Sequence, residues 1–94
     1  MTSYEDIKSK LPKKIGEVIA KSEDNENFII KVSDDKIYEV VPVAYYIWEM
    51  CDGSHTVEQI VDEISREAGI PAEQLRETVA LIISELEKAS LISI

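Results

Sequence analysis

Few side chains in this sequence could do chemistry, and two of them sit close together. Cys51 and His55 are the only Cys and the only His, four residues apart, with Ser54 between them. A thiolate beside an imidazole is a nucleophile paired with its base. The same two groups are also half of a zinc site. Their surroundings speak against both. Ala44, Ile47, Trp48 and Cys51 fall at i, i+3, i+4 and i+7, which puts Cys51 on the apolar face of a short helix as a buried, inert thiol. His55 falls in the polar turn that follows, and no further N or S ligand completes a metal set. Glu23-Asp24 and Asp34-Asp35 read as solvated turns, because a calcium loop needs more oxygen ligands in a fixed register. Three scattered glycines make no phosphate loop. The expectation is a binding domain and not an enzyme, with no catalytic residue, metal or cofactor.

The elements that must hold any binding surface are legible in order. Residues 1–11 are polar and Lys-rich, with Ile7 and Leu11 as the only apolar anchors ahead of Pro12; they are expected to form a flexible arm, with a short helix capped by Ser3 and Asp6 as the alternative. The folded domain is expected over 12–94. Ile15 to Ala20 is a plausible first strand, and Phe28-Ile29-Ile30-Lys31-Val32 is the clearest one, rich in β-branched and aromatic residues. Lys36-Ile37-Tyr38-Glu39-Val40-Val41 is the third, ended by Pro42. Such short connections predict an antiparallel meander. The short helix around Trp48 follows and is closed by Asp52-Gly53. Thr56 with Gln59 is a capping box for a helix through Val57, Ile60, Val61 and Ile64, which Gly69 ends. A last helix from Pro71 to about Ala89 carries the core stripe Leu75, Val79, Ile82 and Leu86, with Ala80 and Ile83 widening it to one side. Leu91 to Ile94 is an apolar tail, either a short strand or a packed end. The fold class is α+β and winged-helix-like: an N-terminal three-stranded antiparallel sheet followed by three helices.

A chain of 94 residues makes one domain, and its single Cys excludes an intrachain disulfide. No apolar run is long enough to span a membrane, and Met1 to Asp6 lacks a signal-peptide core, so a cytoplasmic protein is expected. The net charge of −9 is uneven. Residues 1–42 hold seven Lys against nine Asp and Glu, a net of −2, whereas residues 43–94 hold three basic against ten acidic residues, a net of −7. An acidic half repels phosphate backbones, so nucleic acid is not an expected partner.

Two surfaces remain as candidates. The open edge of the third strand, Lys36, Ile37, Tyr38, Glu39, Val40 and Val41, offers unpaired backbone groups to which an extended peptide can add. Alternation turns either Ile37, Glu39 and Val41 or Tyr38 and Val40 toward the helices, and the pattern alone leaves both open. The second surface is the side of the last helix bearing Arg76, Val79, Ala80 and Ile83, which would form a groove with that edge if the two lie together. The blander alternative makes Val79 and Ile83 core and leaves the edge blunted by Lys36 and Glu39.

Pro12-Lys13-Lys14, the run Ala44 to Gly53, Thr56-Val57-Glu58-Gln59-Ile60 and the closing Leu86 to Ile92 together resemble the PqqD family. The short helix running into Asp-Gly and then Thr-Val-x-x-Ile is the most specific part, and the resemblance covers about residues 12–93. It implies three strands and three helices, and a non-catalytic element of ribosomal peptide modification. Such an element binds the leader of a precursor peptide and presents it to a modifying enzyme, often a radical SAM protein. It also implies that the leader adds beside the third strand and rests on the third helix. The chain departs from many relatives in having Val41-Pro42 where they carry Leu-Asn before the short helix. With its strong negative charge, this turns the expectation from PQQ synthesis itself toward another pathway of the kind.

Two rivals come from other classes. A winged-helix transcription regulator needs a basic recognition helix, but the last helix holds Arg76 and Lys88 against Glu73, Glu77, Glu85 and Glu87. A self-associating domain would pair the open edge with its own copy as a homodimer.

Overall fold

The computed structural model describes residues 3–94. Its elements are α1 (Tyr4–Ile7), β1 (Lys13–Lys14), β2 (Glu17–Lys21), β3 (Phe28–Ser33), β4 (Lys36–Val40), α2 (Pro42–Glu49), α3 (Val57–Ala68), α4 (Ala72–Lys88) and β5 (Ile92–Ser93). The expected succession of three strands and three helices is present as β2 to β4 and α2 to α4. The sheet is not strictly N-terminal, because α1 and β1 precede it.

The strands β2, β3 and β4 form an antiparallel sheet in that order, which leaves β2 and β4 as its edges. Gly16 leads into it at φ +91, where a Cβ would lie 2.6 Å from the Lys31 carbonyl oxygen, so only glycine lets the backbones approach this closely. Register assigns the two faces. Ile30 sits opposite Tyr38 and Val18, and Phe28 opposite Val40 and Lys21, while Ile29 sits opposite Glu39 and Ala20, and Lys31 opposite Ile37 and Glu17. Ile30 and Val40 are buried and Tyr38 is half-buried, so the first set faces the body. Phe28 stacks on Tyr45 of α2 at 3.7 Å, which fastens this face to the helices. Every residue of β2 is exposed, so the sheet is anchored through β3 and the end of β4.

The helices start and stop where their sequences dictate. Pro42 opens α2 after an extended Val41. In α3 the Thr56 hydroxyl accepts from Gln59 N at 3.1 Å and the Gln59 side chain accepts from Thr56 N at 2.8 Å, while Gly69 closes the other end in the left-handed conformation. The core joins Ile47, Trp48 and Cys51 to Val57, Ile60 and Val61 of α3 and to Val79, Ala80, Ile83 and Leu86 of α4.

Two expectations are corrected. The stretch before Pro12 is no flexible arm along the part described here: Tyr4 and Ile7 are buried, α1 packs on α4, and the carbonyls of Lys10 and Lys8 accept from Val57 N and Glu58 N. Those amides are orphan donors at the start of α3, and the arm supplies their acceptors. On α4 the deepest residues are Ala80 and Ile83, whereas Leu75 and Ile82 are half-buried. The reason is α1. Arg76, Ala80 and Ile83 share one side of the helix, and Arg76 lies over the Tyr4 ring at 5.5 Å, so the side left spare by the expected stripe is covered. The apolar tail takes the first of its two expected forms, a short strand: β5 pairs with β1 in a two-stranded sheet, Lys13 opposite Ser93 and Lys14 opposite Ile92.

Candidate functional site

The chemistry-bearing residues are held apart from one another. The Cys51 thiol is completely buried and donates to the Ile47 carbonyl at 3.2 Å. Burial, reinforced by the neighbouring Asp52 charge, pushes it up to about 12, the opposite of what a nucleophilic thiol requires. His55 turns instead to Asp52, with Nδ1 at 2.9 Å from a carboxylate oxygen. Asp52 also accepts from the backbone N–H of Ser54 at 2.8 Å. These contacts, the imidazole first, hold its carboxyl below the usual range. The pair stiffens the turn between α2 and α3 and faces solvent. Among the described residues, no group of three or more His, Cys, Asp or Glu is placed to hold a metal ion.

The β4 edge has the makings of a binding site. Lys36, Ile37 and Glu39 are exposed, Tyr38 is half-buried and Val40 is buried. Tyr38 and Val40 turn toward the helices while Ile37 and Glu39 face out, which decides between the two alternations. Val41 is exposed and caps α2. One side of β4 pairs with β3, and in an edge strand the backbone groups on the other side have no strand partner.

Of the α4 residues expected beside that edge, three are interior and one is exposed. Val79, Ala80 and Ile83 are no more than 2% exposed and belong to the core. The principal neighbours of α4 are α3, α2, α1 and β5, while that of β4 is β3. Arg76 remains exposed and reaches back over Tyr4.

A feature that sequence reading missed lies beside β4. Lys21, Ser22, Glu23, Asp24, Ile29 and Glu39 line an open surface hollow of about 570 Å³. Glu23 and Asp24 belong to the turn between β2 and β3, and cross-strand pairing brings Ile29 and Glu39 beneath them. Asp24 accepts from the Ser22 hydroxyl and from Glu26 N, which lowers its carboxyl, the hydroxyl contributing more. Glu39 accepts from the Asn27 side chain at 2.6 Å. The sequence signal was the acidic turn itself, but without register nothing tied it to the third strand.

Residues 26–92 match the family model described as coenzyme PQQ synthesis protein D (PqqD). No curated protein and no solved structure matches the chain. The matched span begins just ahead of β3 and runs into β5, so it takes in the β4 edge and all three long helices, and it leaves out α1, β1 and β2.

Proposed function

This chain belongs to the PqqD family, and on that premise we propose that it is a non-catalytic adaptor that binds the leader of a ribosomally made precursor peptide. The general role of the family is that of an accessory protein in PQQ and related peptide-derived biosynthesis, and this chain shares it. The finer reading is that the leader adds as an antiparallel strand along Lys36 to Val41. The chain then presents it to a modifying enzyme, of the radical SAM class or another. Holding a substrate beside its enzyme raises the local concentration that the enzyme meets.

The observation that carries this reading is the unpaired edge of β4 within the matched span, with Ile37 exposed and Tyr38 half-buried. Backbone pairing supplies affinity there, and the alternating side chains supply selectivity. Val79, Ala80 and Ile83 support the site only from within, as the core behind it.

The test is an NMR titration of the labelled chain with the precursor peptide encoded beside it. Amide shifts are expected to concentrate in 36–41, with little change in α3. No shift at any β4 amide with the peptide at about 100 μM would sink the reading for that peptide.

A further inference from the structure

We propose that Glu39 and Ile37 select the sequence of the strand that β4 accepts: a basic residue opposite Glu39 and, two positions further toward its C-terminus, an aliphatic residue opposite Ile37. The inference rests on the reading that β4 is the pairing edge. An added antiparallel strand extends each cross-strand row by one residue, and directly opposed side chains share a face. On the outer face the rows are Ala20, Ile29, Glu39 and Glu17, Lys31, Ile37.

In the first row the newcomer meets Glu39. The carboxylate is fixed through one oxygen by Asn27, which leaves the other oxygen free, and it pairs with no Lys or Arg among the described residues. Beside it lies the hollow, where Glu23 and Asp24 add carboxylates above the apolar Ile29. A Lys or Arg side chain opposite Glu39 fits this layout, its charged head over the Glu39 carboxylate and facing the acids of the hollow beyond. The one cation of the hollow does not fill that role: the Lys21 ammonium is drawn to the other face, 5.5 Å from the Phe28 ring.

In the second row the newcomer meets Ile37, which is 52% exposed. The neighbouring Lys31 ammonium is turned to Asp34 at 3.1 Å, so the charge nearest to Ile37 is already satisfied. An aliphatic side chain there covers Ile37 without burying an unpaired charge. The intervening residue of the peptide falls opposite the half-buried Tyr38.

A displayed library of short random peptides, selected separately against the whole chain, Glu39→Lys and Glu39→Gln, tests this. The native chain is expected to enrich a basic residue two positions before an aliphatic one. Glu39→Lys is expected to exchange the basic residue for an acidic one, keep the aliphatic one, and bind the native consensus about fivefold more weakly. Glu39→Gln is expected to lose the charge preference without inverting it. Both substitutions lie on an exposed side chain, and far-ultraviolet circular dichroism verifies their folding. A consensus blind to charge, or identical for the native chain and Glu39→Lys, overturns the inference. The selected peptide, N-methylated at alternate amides in two series, separates this from the underlying reading. If one series loses binding while the consensus is charge-blind, strand addition stands and only the selectivity falls. If neither series loses binding, or no peptide is enriched, strand addition falls and takes the selectivity with it.

Discussion

At the scale of single residues, Cys51 shows how burial decides chemistry. Its sulfur sits where solvent cannot stabilise a thiolate, so ionisation is deferred to about 12 from an ordinary 9.0. The folded chain therefore keeps a proton that the unfolded chain gives up, and stability must fall as pH rises through this interval. The expected slope is about 1.4 kcal/mol per pH unit between roughly pH 9 and 12. Urea unfolding across that range measures it, and Cys51→Ala is expected to remove this part of the slope. Cys51, Ile47 and Trp48 were legible as core because their spacing matches a helical face. Ile83 was legible only as either core or groove wall, because a helix pattern gives the width of an apolar stripe but not which neighbour covers its flank. Likewise, the alternation of β4 gave two faces, and only the pairing of Tyr38 with the buried Ile30 says which one is inside.

At the scale of elements, Ser3 and Asp6 marked α1 as a possible short helix, but its docking on the body was not legible. Four helical residues carry no periodicity to read, and the acceptors that Lys8 and Lys10 give to α3 are backbone atoms, which every residue has. The consequence is energetic. Tyr4 and Ile7 are each nearly fully buried, and burying such side chains stabilises by about 1.5–3 kcal/mol apiece. Deleting residues 1–8 is expected to lower stability by at least about 3 kcal/mol and the melting midpoint by roughly 10 °C or more. A thermal melt followed by circular dichroism checks this, and an unchanged midpoint would show that α1 is a bystander. The helices α2, α3 and α4 were legible because each has a long apolar stripe and its own stop and start signals. The pairing of β1 with β5 joins segments at opposite ends of the sequence, and two-residue strands have no pattern of their own.

At the scale of the whole molecule, charge separates the readings. The helical half is strongly acidic, and α4 carries Glu73, Glu77, Glu85 and Glu87 on its exposed surface. A duplex would meet repulsion there in place of the counterion release that drives phosphate binding. Mixing the chain with mixed-sequence duplex DNA at low salt is expected to give no retained band in a gel shift, and retention would favour a transcription regulator. No helix among the described residues is long and apolar enough to cross a membrane. The general architecture was legible because each half announces its period. The β4 edge was legible as a strand with nothing after it to pair with. The hollow was not, because it is made by register between two strands and a turn.

Trp48 ties these scales together in one more way. Its indole N–H donates to the Leu91 carbonyl at 2.9 Å, and the Lys14 ammonium lies 5.1 Å from the ring. The same Leu91 carbonyl accepts from Ile15 N. The chain's sole strong fluorophore is thus wedged between the segment that leads into the sheet and the segment that follows the last helix. Its emission is a built-in optical gauge of whether those two ends are docked, readable without any attached dye.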